Sequence, residues 1–213
     1  MDDVYQEYLE ALRRGDRRGA QVVARAALAR GADIRDLYMH VFQPALYEVG
    51  RLWEANQFTV AQEHLATAIT QSIMAQLAGE LLARPPLGRT LLATCIGGEH
   101  HEVGIRMVSD FFELEGWDVI YLGANVPIPD VVQMVASQRA DLLAISVTLS
   151  GHVTKARDLI AAVRASPSGA RCRIMVGGQP FVRSPDLCTV VGADFTACDA
   201  RQAVQRAQKA LAS

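Results

Sequence analysis

The chain has 213 residues, 50% hydrophobic and 21% charged, and its 21 Lys and Arg against 23 Asp and Glu give a net charge of −2. This composition excludes disorder, collagen and coiled coil as descriptions of the whole, and the length allows one large domain or two small ones. The near balance of charge gives no electrostatic ground for nucleic acid or an anionic membrane as a partner.

The first eighty residues read as helix, rich in Ala, Leu, Arg, Glu and Gln, with no β-branched runs. Helices are expected near residues 2–14, 16–30, 33–52 and 58–82, with Gly15, Gly31 and Gly50 at or near the breaks. Pro44 falls inside the third and should kink it. In the fourth, Ala61, Leu65, Ala68, Ile69, Ser72, Ile73, Gln76 and Leu77 recur at steps of three and four and describe one buried face. Seven arginines and two aspartates between Arg13 and Arg35 make the first hairpin locally basic. That stretch reads as a solvated helix face, with a docking face for a protein as the main alternative and direct DNA contact, for which no helix-turn-helix, finger or basic-zipper signature is present, as a minor one.

Arg84-Pro85-Pro86-Leu87-Gly88 suits a linker. Beyond it, short apolar runs at Thr90–Ile96, Asp118–Leu122, Asp141–Val147, Cys172–Val176 and, more weakly, Asp194–Ala197 alternate with helices near 102–115, 129–138, 152–166, 181–190 and 199–211. Near-continuous apolar strands between helices argue a parallel sheet covered on both faces. The expected architecture is α/β plus all-α. A four-helix bundle over 1–83 and a linker over 84–89 precede a five-stranded, doubly wound, flavodoxin-like parallel sheet over 90–213.

The longest run free of Asp, Glu, Lys, Arg and His, Leu65–Gly79, is 15 residues and carries several polar side chains, so no membrane span is expected. The opening Met1-Asp2-Asp3 is unlike a signal peptide. Cys95, Cys172, Cys188 and Cys198 are scattered without a C-x-x-C pair, which suits reduced thiols in a cytoplasmic protein.

Chemistry concentrates after the first strand, where ligands of open α/β sheets bind. Gly97-Gly98-Glu99-His100-His101-Glu102-Val103-Gly104 is neither a dinucleotide fingerprint nor a P-loop. It is no zinc-protease helix either, since position 105 is Ile. What remains is Glu99-x-His101-x-x-Gly104: an imidazole able to offer one ring nitrogen to a metal while a carboxylate holds the other. Gly104 keeps the head of the next helix clear.

These residues resemble the cobalamin-binding domains of methionine synthase, mutases, corrinoid methyl carriers and B12 photoreceptors. The resemblance rests on E-x-H-x-x-G at Glu99, His101 and Gly104, then S-x-T at Ser146 and Thr148, then Gly177-Gly178, each following an expected strand. It implies that His101 is the lower axial ligand of cobalt, with Glu99 behind it and His100 as the competing candidate. The displaced nucleotide tail would enter near Ser146 and Thr148, with Gly177 and Gly178 giving room.

The helical part resembles the cap of the light-sensing B12 regulators, because Trp53 is followed by Glu63 and His64 in a W-x9-E-H pattern. Trp53 would pack on a bulky upper ligand such as 5′-deoxyadenosyl. His64, placed in phase with the buried stripe, and Glu63 would hydrogen-bond that ligand or replace it. Glu54 stands where some such regulators carry a cobalt-capturing histidine, so His64, His40 or solvent would have to serve.

The expectation is therefore a stand-alone, non-enzymatic cobalamin photosensor acting on transcription through protein contacts. Its partner would be a separate transcription factor or a second copy, and it would not bind DNA directly. Adenosylcobalamin is the favoured cofactor, with methyl- or hydroxocobalamin as alternatives. The competing readings are a corrinoid carrier of a methyltransferase system and a light-independent B12 sensor or store.

Overall fold

The computed structural model describes residues 1–81 and 84–212. The chain divides into two compact units, Met1–Glu80 and Leu81–Ser213. The expected helix end at 82, the expected bundle limit at 83 and residue 213 lie outside the described residues.

The first unit is helical: α1 (Asp2–Arg13), α2 (Arg17–Ala29), α3 (Ile34–Leu37), a π-turn (Tyr38–Phe42), α4 (Gln43–Glu54) and α5 (Val60–Leu81). Asp16 caps α2 by accepting from the N–H of Gly19 at 2.9 Å, satisfying one of the donors that a helix start leaves free. The core is aromatic. Tyr8 and Phe42 have ring centroids 5.0 Å apart, and the Tyr8 hydroxyl donates to Thr70 Oγ1 at 3.0 Å. Burial pushes the Tyr8 phenol well above its ordinary pKa, so the hydroxyl stays protonated and available to donate.

Several local readings change. Pro44 does not simply kink a helix. It has no N–H to give the carbonyl of His40, four residues back, and its ring would crowd that carbonyl. The chain widens instead into the π-turn, where Gln43 N–H donates to Tyr38 O, and Pro44 enters the first turn of α4. Gly15 and Gly31 take φ of +66° and +88° at breaks, as expected, but Gly50 lies inside α4. That helix stops at Ala55-Asn56, where Asn56 supplies the left-handed residue (φ 57°).

The buried face of α5 consists of Ala66, Ile69, Thr70, Ile73, Met74 and Leu77. Ile69, Ile73 and Leu77 belong to the expected set, whereas Ala61, Leu65, Ala68 and Gln76 are exposed. Polar residues of α5 meet the basic hairpin: Arg17 donates to Ser72 Oγ at 2.9 Å and Arg25 to Gln76 Oε1 at 3.3 Å. Part of that arginine run therefore ties the bundle together rather than facing solvent alone.

The second unit carries β1 (Thr90–Cys95), α6 (Val103–Glu113), β2 (Asp118–Gly123), α7 (Ile128–Ser137), β3 (Leu142–Ser146), α8 (Val153–Ala165), β4 (Arg173–Gly177), α9 (Gln179–Arg183), α10 (Leu187–Val191), β5 (Phe195–Ala197) and α11 (Ala200–Ala210). All pairings are parallel, in the order β2-β1-β3-β4-β5. This is the doubly wound, flavodoxin-like sheet expected from the sequence. Leu92, Leu143, Ile145, Ile174 and Val176 pack with apolar residues of α7, α8, α9 and α10 in one core, while α6 and α11 pack together beside the strands.

The expected single helix over 181–190 is two, because Pro185 holds Ser184 in extended backbone between them (φ −141°, ψ 82°). The proline-rich stretch after position 83 is tied into this unit: Arg84 pairs with Glu115, and Leu87 N–H donates to Gly116 O at 2.7 Å.

Candidate functional site

The sheet order reverses between β1 and β3, and the loops leaving their carboxyl ends meet at Glu99. Cys95 lies opposite Ser146, and Ser146 opposite Gly177, so the three motif-bearing loops leave the sheet side by side. Alternation in the sequence places each motif after a strand; parallel pairing in register brings the strand ends level.

Glu99 is fully buried. Its Oε1 accepts from His101 Nδ1, and His101 N–H approaches the same oxygen at 3.4 Å. Its Oε2 accepts from the backbone N–H groups of Thr148 and Leu149 at 2.9 and 3.0 Å, and His152 Nδ1 lies at 3.4 Å. Burial alone would raise the carboxyl pKa, but the hydrogen bonds from His101, Thr148 and Leu149 favour the charged form and bring it down to about 2. Glu99 is therefore ionised at neutral pH and accepts only. The neutral form of His101 that fits this contact carries its proton on Nδ1 and keeps a lone pair on Nε2, and the side chain is 55% exposed. Such an arrangement orients an imidazole to ligate a metal through Nε2.

The loop is braced from two further sides. Gly98 N–H donates to Asn125 Oδ1 at 2.8 Å, and Lys155 Nζ donates to Gly97 O at 2.8 Å. His100 Nδ1 lies 3.4 Å from Asn125 Nδ2, and among the described residues no carboxylate pairs with it. Beneath the loop, burial and the neighbouring charges of Glu102 and Glu99 push the Cys95 thiol up to about 12, so it is no nucleophile at neutral pH.

The structure thus brings Glu99, His101, Ser146, Thr148, Gly177 and Gly178 to one end of the sheet. Thr148 contributes its backbone N–H. A side chain at Gly104 would meet nothing within 4 Å, whereas a Cβ at Gly178 would sit 1.9 Å from Val147 O, at a φ of +103°. Gly178 is thus required by the close approach of Val147, and its place is filled by backbone.

Trp53, Glu63 and His64 belong to the helical unit. Trp53 stands near the end of α4, as expected, and is 45% exposed. His64 is not in phase with the buried stripe: its side chain is 75% exposed, and its Nδ1 lies 2.6 Å from Glu63 Oε2. The burial period of α5 runs through Ala66, Ile69, Thr70 and Ile73, which turns position 64 outward.

Sequence reading missed His152, Asn125 and Lys155. The signal for His152 was its place four residues beyond Thr148, at the head of the helix after β3. Nothing local marked the other two.

Among the described residues no group of three or more His, Cys, Asp or Glu could hold a metal ion, and no helix is long and apolar enough to cross a membrane. The B12 binding domain family matches residues 89–206, and a second B12 binding domain family matches residues 4–78. Dimethylamine corrinoid protein 3 of Methanosarcina acetivorans is 29% identical over 116 residues, 54% of either chain, so this chain aligns with about half the length of that relative. The HTH-type transcriptional repressor CarH of Myxococcus xanthus is 34% identical over 151 residues, 70% of this chain and 48% of that protein. The trimethylamine corrinoid protein of Methanosarcina barkeri is 24% identical over 213 residues, covering 99% of this chain and 97% of that one. The solved monomethylamine corrinoid protein of Methanosarcina barkeri superposes with a TM-score of 0.87 at 22% identity, covering 98% and 99% of the two chains, which shows a shared fold. The chain belongs to the B12 binding domain family, whose ligand is cobalamin or a related corrinoid.

Proposed function

We propose that this protein is a corrinoid carrier of a methyltransferase system, with His101 as the lower axial ligand of cobalt and Glu99 as its hydrogen-bond partner. The observation that carries the ligand assignment is the buried, ionised Glu99 accepting from Nδ1 of a half-exposed His101.

The residues around His101 fit such a group. A Cβ at Gly97, Gly104 or Gly151 would meet nothing within 4 Å, so the surface near the imidazole is open to a flat macrocycle. A lone histidine suits a metal that brings its other ligands with it. Ser146, Thr148 and Gly177 would line the track of the nucleotide tail. When bound, the corrinoid supplies the cobalt on which a methyl group is carried. The chain's own part is to hold the imidazole, fix its tautomer and set its donor strength through Glu99. That part is binding rather than turnover, and the partner would be a methyltransferase.

The relatives favour the carrier over the photosensor expected first. Several are named as methylamine corrinoid proteins, and one aligns along nearly the whole of both chains. Methyl- or hydroxocobalamin is then the form to expect, in a cytoplasm that keeps the thiols reduced. The light-sensing reading keeps one support of its own: the 34% identity to CarH together with an exposed Trp53 and the Glu63–His64 pair. It calls for adenosylcobalamin and a transcription-factor or self-associating partner.

Spectra of the purified protein loaded separately with each cobalamin separate the two. Methyl uptake at reduced cobalt in the presence of a methyltransferase, with elution unchanged by green light, is the carrier result. A light-driven change in spectrum and apparent size overturns it.

A further inference from the structure

The second unit carries a cleft of about 410 Å³ lined by Arg173, Asp194, Phe195, Arg206, Lys209 and Ala210. Arg173 opens β4, Asp194 directly precedes β5, and Arg206 and Lys209 belong to the last turns of α11. The carboxylate here is already matched. Asp194 Oδ2 accepts from Arg164 at 2.5 Å and from the N–H of Ile174 at 2.6 Å, and its Oδ1 accepts from Arg173 at 3.4 Å. Arg164 is itself anchored, donating to Gly169 O at 3.0 Å and to Cys172 O at 2.8 Å. Arg206 spends one N–H on Thr196 O at 2.9 Å, and neither it nor Lys209 pairs with a carboxylate among the described residues. Positions 206 and 209 are neighbours on a helix face, where like charges repel. A helix C-terminus favours cations, which accounts for these two but not for Arg173, brought in by a strand. A chain of net charge −2 thus gathers three cations around one cleft, whose single carboxylate is offset by a fourth.

We propose that this cleft binds a small organic phosphate monoester through its phosphate group. Arg173 and Arg206 offer planar forks that match pairs of phosphate oxygens, and Lys209 adds a point charge. A phosphate monoester carries close to two negative charges at neutral pH and three peripheral oxygens on one centre, so it can engage three cations. A carboxylate has two oxygens and one charge. The cleft volume falls within the range of roughly 300–1,000 Å³ typical of small-molecule sites, more than an inorganic ion fills. The half-buried Phe195 gives the organic part of the ester an apolar wall. Arg173 and Asp194 stand at the amino ends of β4 and β5, whereas the Glu99–His101 loop follows the carboxyl end of β1. The proposal is therefore independent of the cobalt ligand assignment.

The test titrates the full ¹⁵N-labelled chain with phenyl phosphate and with inorganic phosphate, using sodium chloride at matched ionic strength as the control. Phenyl phosphate should shift the amide signals of Phe195, Lys209 and Ala210 saturably, with a Kd of about 1 mM or below. Inorganic phosphate should bind more weakly at the same signals. Lys209→Gln, which removes no hydrogen bond or ion pair among the described residues, should weaken phenyl phosphate binding about tenfold, the scale of one charge-assisted contact. Arg206→Gln should weaken it at least as much, and both variants should keep the wild-type far-UV circular dichroism. Shifts that sodium chloride reproduces, titrations that do not saturate, or phenyl phosphate binding that neither variant weakens overturn the inference. Inorganic phosphate binding as tightly as phenyl phosphate also overturns it, since the cleft would then hold an adventitious ion only. If Arg206→Gln does not fold, Lys209→Gln decides alone.

Discussion

Two glutamate–histidine pairs formed by residues close in sequence sit in different settings. Glu63 and His64 sit on the outside of α5, where the histidine side chain is 75% exposed and the carboxylate also accepts from Thr67 Oγ1 at 2.9 Å. Glu99 and His101 sit where two loops leave a parallel sheet, with the carboxylate fully buried and gripped by two backbone N–H groups. An exposed pair gains little from its attraction, since water screens it and two side chains must be ordered. A buried carboxylate that is fully hydrogen-bonded cannot rotate away, so it imposes a tautomer and a direction on its histidine. Proximity of the two residue types is common to both pairs; only the burial of one partner gives the histidine a fixed direction.

The largest effect expected from breaking this contrast is Glu99→Ala, which leaves the Thr148 and Leu149 N–H groups unpaired in the interior. It should lower the unfolding free energy by about 3 kcal/mol in a urea titration, whereas Glu63→Ala should stay within about 0.5 kcal/mol. Equal losses would mean that burial does not distinguish the pairs.

Next, His101→Ala should weaken cobalamin binding by one to two orders of magnitude and shift the spectrum away from histidine ligation, read by absorbance titration. His64→Ala should change neither. A normal spectrum in His101→Ala would move the assignment to His100.

Tyr8→Phe, which takes the hydroxyl from the Thr70 bond inside the bundle, should cost about 1 kcal/mol by the same unfolding measurement and leave cobalamin binding alone.

The smallest effect concerns the thiols. Burial pushes Cys172, like Cys95, up to about 12, so alkylation at pH 8 in the native state should begin at exposed Cys198, detected by peptide mass. Cys198 is itself raised somewhat, by partial burial and then by Asp199, so its labelling should be slow. Preferential labelling of Cys95 would show that the loop above it opens.

Much of this was legible in the residues. Apolar runs alternating with amphipathic helices specify a parallel sheet, because strands buried on both faces have no polar side to show. The Glu99-x-His101-x-x-Gly104 spacing is local, so two residues bound to meet across a tight turn could be read as a pair. Other features were set by packing. The outward turn of His64 depends on which face of α5 the aromatic core of Tyr8 and Phe42 selects, and a pattern with apolar residues nearly all round does not settle that. The π-turn before Pro44 is one of several ways to relieve a missing N–H, chosen by neighbours that the local sequence does not contain.

The sequence by itself determined the order of strands and helices, the loop that bears the histidine and the carboxylate partnered with it, since periodicity and short-range spacing act within a few residues. Only the tertiary structure decided that Glu99 is buried and ionised, that Thr148, Leu149 and His152 converge on one of its oxygens, and that Asn125 and Lys155 brace the loop. Those partners lie 27 to 58 residues away along the chain, and they meet because parallel pairing of β1 with β2 and β3 lines up strand ends that no local pattern can bring together.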